Sequence, residues 1–275
     1  MSVKKNLHLS PSEKQARKRR LFFIRSYIIL FFLSVIIFGL AILSSHEKVI
    51  VKTIIVSGEA AVSTDNVLEI ANRDMAGRYW HLFARNNFLI FPRWKIKADL
   101  LREIKTIKDV NISWKGWQII SIMLEERKPQ AVYCGTDPLK VEAQCFFMDK
   151  DGYIFSQAPV FSGNLFVRNY SSLVGVDQIG QYFLSQTDYN QILDLLELFN
   201  QKDLRIVKVF FDGFDFRFIL EIGPTIIFKA DESFTSALDN LFTAIGTGDL
   251  DLISDSANIN YVDLRFDSKI VIGKK

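Results

Sequence analysis

Three histidines, two cysteines and six prolines in 275 residues leave little material for several common chemistries. His8, His46 and His81 lie far apart in the chain, so neither a His-rich metal site nor a Ser-His-Asp grouping emerges. There is no Walker loop and no G-x-G-x-x-G. Gly246-Thr247-Gly248 follows a helical pattern instead of opening one, and reads as a helix stop. No catalytic residue, metal site or cofactor is therefore expected, and the chain reads as a non-enzyme. The sequence also lacks a second apolar run of membrane-spanning length.

The one such run is at the start. Ser26 to Ser45 (SYIILFFLSVIIFGLAILSS) carries no charge, and ~20 apolar residues in a helix are enough to cross the ~30 Å hydrocarbon core of a bilayer. It is longer than the usual hydrophobic region of a cleaved signal, and no A-x-A-like site follows it, so an uncleaved transmembrane helix over 21–45 is expected. Lys4, Lys5, Lys14, Arg17, Lys18, Arg19, Arg20 and Arg25 precede or open it against the single acid Glu13. By the positive-inside rule this end is cytoplasmic and the bulk of the chain lies outside. Residues 1–20 read as a disordered basic tail. The remainder carries 26 basic against 30 acidic residues, so the pI of 8.7 reflects a tail attracted to anionic lipid, and no nucleic-acid partner is inferred.

The ~230 residues beyond the span suit two small domains. In the first, over 49–127, Val51 to Val56 reads as a strand ended by Ser57-Gly58. Ser63 is placed to cap a helix carrying Val67, Ile70 and Ala71. A second helix is predicted over Lys95 to Lys105. Two strands follow, with Val110, Ile112 and Trp114 alternating before a Lys115-Gly116 link and Ile120, Ile122 and Leu124 after it. The aromatic stretch Gly77 to Pro92, long for a loop, reads as packing over this small sheet, with a binding loop as the alternative. In LEERKPQA, Glu125 and Glu126 are adjacent strand residues that point to opposite faces, so they do not converge as an acid–base pair. Pro129 cannot donate to a ladder, and marks the exit from one sheet.

The second domain, 128–275, reads as mostly β with two amphipathic helices. Ile192, Leu195, Leu196 and Phe199 form one apolar stripe and Phe234, Leu238, Leu241 and Ile245 another. Asp149-Lys150-Asp151-Gly152 between two apolar runs reads as a hairpin turn in preference to a calcium loop, whose closing glutamate is missing. Phe214 to Ile222 alternates as a half-buried strand turning at Gly223-Pro224. Cys134 and Cys145 are the only cysteines. An oxidising compartment permits a disulfide between them; free thiols or a partial metal site are the other readings. Tyr261 to Phe266 (YVDLRF) and Lys269 to Ile272 close the chain as two strands.

A strand ending Val56-x-Gly58, two helices, a hairpin and Glu126-Arg127-x-Pro129-x-Ala131 behind a membrane anchor resemble the FtsQ/DivIB cell-division family. So do the Asp149-x-x-Gly152-x-x-Phe155 stretch and the closing Val262-Asp263-Leu264-Arg265-Phe266. The resemblance implies an α+β fold. A single N-terminal transmembrane helix would be followed by a β-α-α-β-β POTRA domain and a mostly antiparallel β domain with two helices. Gly58, Glu126, Arg127 and Pro129 would be structural junction residues. It further implies a divisome scaffold at the septum that docks small bitopic proteins of the FtsB/DivIC and FtsL type. The region concerned is the end of the β domain, around Tyr261, Val262, Leu264, Arg265 and Phe266; the alternative is an edge that its charges protect and that binds nothing. Rival functions are a POTRA-type chaperone or translocation module and a membrane-anchored cell-wall enzyme using Asp263 and Asp267.

Overall fold

The structure, a computed structural model, describes residues 11–58, 61–137, 144–160, 162–175, 177–230, 234–254, 256, 258–266 and 269–275, with only the backbone for 11–18. Tail residues 1–10, Phe161 and Asp267-Ser268 lie outside the described residues. The chain divides into two compact units, one made of Met1–Glu103 and Asp109–Glu125, the other of Ile104–Lys108 and Glu126–Lys275.

The first unit opens with α1 (Pro11–Ser44). The basic stretch from residue 11 onward, expected as disordered tail, is helical: Pro11 suits a first helical position, and Lys, Gln, Ala and Arg are good helix formers. Arg19–Ser44 is long and apolar enough to cross a membrane, with a mean hydropathy of 2.7. An anchor and a signal sequence both meet that description. β1 (Thr53–Ser57) and α2 (Thr64–Met75) follow. Ser63 stands at the N-cap of α2 as expected, but its side chain makes no capping bond. A short hairpin comes next, β2 (Arg78–Tyr79) and β3 (Phe83–Ala84), then α3 (Arg93–Glu103), two residues earlier than the periodicity places it.

β4 (Ile107–Gly116) and β5 (Ile119–Glu126) complete a three-stranded sheet in the order β1-β5-β4, with β1 parallel to β5. The turn between them is Trp117-Gln118, not Lys115-Gly116. Gln118 takes the positive φ of 61° that the turn requires, and Gly116 stays in the strand. Val67, Ile70, Ile96, Leu100, Ile120 and Ile122 are buried. Across the α2–α3 contact Arg73 donates to both carboxylate oxygens of Glu103 (3.0 and 2.8 Å), and Lys95 bridges Asp74 and Asp99.

The second unit contains β6 (Ala131–Tyr133), β7 (Phe146–Met148), β8 (Ile154–Gln157), β9 (Arg168–Ser171), α4 (Gln186–Asn200), β10 (Ile206–Phe211), β11 (Asp215–Leu220), β12 (Thr225–Lys229), α5 (Phe234–Thr247), β13 (Ile259–Phe266) and β14 (Lys269–Lys274). They form one nine-stranded sheet, β14-β13-β12-β11-β10-β9-β6-β7-β8.

Most pairs are antiparallel, as expected, but β6/β9, β9/β10 and β12/β13 are parallel. For two of these the reason is in the helices, while β6 reaches β9 through β7 and β8. Parallel neighbours need a crossover connection, and α4 carries the chain from β9 to β10 while α5 carries it from β12 to β13. The main core lies where α4 and α5 meet the sheet, and includes Tyr189, Ile192, Phe199, Phe218, Phe228, Leu241 and Val262. A smaller cluster of Val132, Cys134, Ala158 and Tyr170 packs separately from it.

Candidate functional site

The residues expected to dock partners occupy β13, which is not the edge of the sheet. It lies between β12, to which it runs parallel, and β14, to which it is antiparallel. The edge is β14. Successive strand residues face opposite ways, and this divides the expected set. Val262 and Leu264 point into the main core, where they serve folding. Tyr261 and Arg265 are on the other face and exposed, and Phe266 is exposed at the strand end.

Tyr261 pairs with Gly273 of β14. A Cβ on Gly273 would stand 2.2 Å from Cε1 of the Tyr261 ring, so a larger residue there would have to displace the ring. An aromatic covering a cross-strand glycine near an edge restores the packing that the glycine lacks.

Arg265 organises the polar part of this face. Its backbone N–H and Nε donate to Asp263 Oδ1 (3.1 and 2.9 Å), Nη2 donates to Asp263 Oδ2 (2.6 Å), and Nη1 reaches Asp215 Oδ2 (2.6 Å). These bonds hold the Asp263 carboxyl below its ordinary value although burial opposes the shift. Asp263 is only 5% exposed. It is a buried, fully engaged carboxylate and does not sit in an open cleft as the cell-wall-enzyme reading requires; Asp267, its expected companion, lies outside the described residues. On β14 itself Val271 and Ile272 are exposed apolar residues. The sequence reading did not single them out, because a short apolar strand looks the same whether it is edge or interior.

The four junction residues separate into different tasks. Gly58 has φ +87°, and a Cβ there would meet the Leu124 carbonyl oxygen at 2.2 Å, so glycine lets the end of β1 pass close to β5. Glu126 closes β5 and Pro129 is exposed in the link that follows. Arg127 is the most engaged. Its guanidinium pairs with Asp149 and lies 3.9 Å from the centre of the Tyr153 ring, and its backbone N–H donates to the Thr106 carbonyl (2.8 Å).

The other oxygen of Asp149 accepts from the backbone N–H groups of Asp151 (2.9 Å) and Tyr153 (3.0 Å). The Asp149 carboxylate thus staples a hairpin turn, and Gly152 (φ +76°) gives way to the Tyr189 ring. This is why the D-x-D-G stretch is a turn. The Arg127–Asp149 pair spans 22 residues, and nothing local in the sequence announces it.

Cys134 and Cys145 are joined by a disulfide, with Cα atoms 4.2 Å apart. They flank the β6/β7 pairing of Tyr133 with Phe146. Among the described residues no group of three or more His, Cys, Asp or Glu is placed to hold a metal ion. A recess of about 470 Å³ in the second unit is lined by residues including Gln130, Asn169, Tyr189, Glu197 and Arg205, and no set of reactive groups converges in it.

The aromatic stretch Gly77 to Pro92 holds two kinds of residue. Phe88 and Phe91 are buried, in keeping with packing over the small sheet, whereas Trp80, Leu89 and Ile90 are exposed. Compared with protein-family models and with curated proteins, the chain finds no match.

Proposed function

We propose that this chain is a single-pass, non-enzymatic scaffold of the bacterial divisome, of the FtsQ/DivIB kind. α1 would anchor it in the cell membrane at the septum with its N-terminus in the cytoplasm. The first unit would serve as a POTRA domain, and the second would bind small bitopic proteins of the FtsB/DivIC and FtsL type, linking septal wall synthesis to the division ring. What supports the reading is a β-α-α-β-β order, elaborated by the β2–β3 hairpin, behind an apolar helix, then a sheet with β14 at one end of the strand order among the described residues.

The observation that carries it is β14. It closes one end of a nine-stranded sheet and exposes Val271 and Ile272. Such a strand offers main-chain groups to a partner strand, with flanking side chains giving selectivity. Tyr261, Arg265 and Phe266 stand on the adjacent strand for that purpose.

The test is binding of the full chain in detergent to the ectodomains of small coiled-coil membrane proteins from the same genome, beside a chain ending at Phe266. Ending at Phe266 removes β14 but keeps Val262 and Leu264 in the core. Binding lost with β14, while circular dichroism retains the rest of the fold, is the expected result. Equal binding by both chains would move the site elsewhere. No binding by either would remove the scaffold reading, and indiscriminate binding of unfolded peptides would replace it with a chaperone.

A further inference from the structure

All four tryptophans of the chain, Trp80, Trp94, Trp114 and Trp117, are in the first unit. Each is on the surface, between 49% and 84% exposed. A soluble surface rarely leaves so much tryptophan in water, and the place where tryptophan is stable half in and half out of an apolar phase is the bilayer interface.

Three of these residues are tied to the membrane-proximal end of α1. β3 packs against α1, whose Ala41 and Ser44 are buried there, in contrast to the exposed apolar helix before them. Ser44 Oγ accepts from the Ala84 N–H (3.2 Å), and the Ser44 carbonyl accepts from Asn87 Nδ2 (2.9 Å). Trp80 stands at the tip of the hairpin that β3 closes. On leaving the helix, Val49 accepts from the Phe88 N–H (2.7 Å) through its carbonyl. The Phe88 ring packs on Trp114 and Trp117 (centroids 6.1 and 5.5 Å). Gln118, next to Trp117, donates to the carbonyl of Ile50 (2.9 Å).

The depth of these contacts follows from helix length. Arg19–Ser44 has 26 residues, or ~39 Å at 1.5 Å per residue, against a hydrocarbon core of ~30 Å. Centred in a bilayer, the helix extends roughly 4–5 Å beyond the core at each end. Ala41, about one turn before the end, then lies at the hydrocarbon boundary, and the hairpin packed beside it lies among the headgroups.

Charge and strain agree with this placement. Arg78, Arg93 and Lys115 are exposed on the same segments, Arg93 lies over the Trp114 ring (4.7 Å) and Arg85 over Tyr79 (5.3 Å). These are cations interleaved with aromatics, as suits an anionic headgroup layer. Trp80 and His81 hold the hairpin turn at φ of 46° and 62°, a conformation in which Asn-Gly is the ordinary choice. A bulky tryptophan kept there against its backbone preference indicates a use for the exposed ring.

We propose that this face of the first unit is a second, interfacial membrane contact, in which Trp80, Leu89, Ile90, Trp114 and Trp117 enter the headgroup layer beside α1. The contact fixes the first unit down against the bilayer. It rests on α1 being a membrane anchor, and is independent of any division partner.

The wild-type chain is its own probe, because the second unit and α1 contain no tryptophan. The full chain is reconstituted into vesicles of phosphatidylethanolamine and phosphatidylglycerol, with or without phospholipids brominated on the acyl chain near the headgroup. The expected result is co-flotation with the vesicles, a blue shift of tryptophan emission relative to the detergent-free unfolded chain, and loss of most emission to the shallow brominated lipid. Trp80→Phe should remove the hairpin's share of the quenchable signal. A chain that floats but whose tryptophans are quenched by aqueous iodide and untouched by brominated lipid would overturn the contact and leave the anchor in place. A chain that does not float would overturn both.

Discussion

In the unit that carries α1 every tryptophan lies on the surface, while in the other unit Tyr189, Phe199, Phe218 and Phe228 retain no more than 1% of theirs. Both units are rich in aromatics, yet the tryptophans of the first stay on its surface, where only phenylalanines such as Phe88 and Phe91 are buried, while most of the second unit's large aromatics fill a core. The buried phenylalanines Phe216, Phe218 and Phe228 sit at alternate strand positions and Phe199 on a helical stripe, so the backbone aims them inward. Trp80 and Trp117 sit in turns and Trp94 at a helix start, where no periodicity binds them to an interior, and Trp114 stands half-exposed towards the end of the alternation that buries Val110. Aromatic content therefore does not locate a core; aromatic periodicity does so in the interior of an element and fails at its ends, as at Trp114 and Phe214.

The sharpest way to break that contrast is to truncate one aromatic of each kind. Phe218 is fully buried and meets Phe228 and Phe234 edge-on, so Phe218→Ala should lose about 3–5 kcal/mol in denaturant unfolding of the second unit followed by circular dichroism. Trp80→Gly should cost nothing and gain up to about 1 kcal/mol, because glycine accepts the positive φ freely. Tryptophan emission reports the first unit, so the two effects are separable. Equal losses would dissolve the distinction between core and surface aromatics.

The covalent clamp is the next difference. Only the second unit has a disulfide, and by the loop-entropy estimate a closure of this length is worth about 3 kcal/mol. Reduction, or Cys134→Ser with Cys145→Ser, should lower the circular dichroism midpoint and leave the tryptophan transition where it was.

The first unit has its own narrow point at Gly58. Gly58→Ala must accept both a φ of +87° and a Cβ 2.2 Å from a backbone oxygen, and backbone cannot swing aside as a side chain does. A loss of about 1–3 kcal/mol is expected in the tryptophan-monitored transition.

Much of this could be read before any coordinates. The apolar helix, the alternation of Phe214 to Ile222, both amphipathic helices and the Gly58 break are local patterns with a period or a backbone requirement. What escaped is non-local. Two of the three parallel pairs depend on which strands the helices reconnect and the Arg127–Asp149 pair on the closure of a hairpin, while both closing strands are legible but not the order that puts β14 outside β13. The Lys115-Gly116 turn was misplaced because glycine is the usual signal for positive φ, and here glutamine takes that conformation.

The smallest expected difference is electrostatic, and its sign follows from which protonation state the fold prefers. Arg265 stabilises the ionised Asp263, so the carboxyl titrates lower in the folded chain than its ordinary 3.8. Its contribution is fully present above that value and is lost as pH falls through the lower, folded one. Because Arg265 keeps 38% of its side chain exposed, water screens the pair, and the contribution is held to about 1 kcal/mol or less. Glu103 in the first unit is lowered in the same direction by the bidentate Arg73, so both units should weaken on acidification. Asp263→Asn should flatten the acid limb of the circular dichroism midpoint and leave that of tryptophan emission unaltered. An unchanged acid limb in both would mean that the Asp263–Arg265–Asp215 group supports the sheet by its packing and hydrogen bonds and not by its charge.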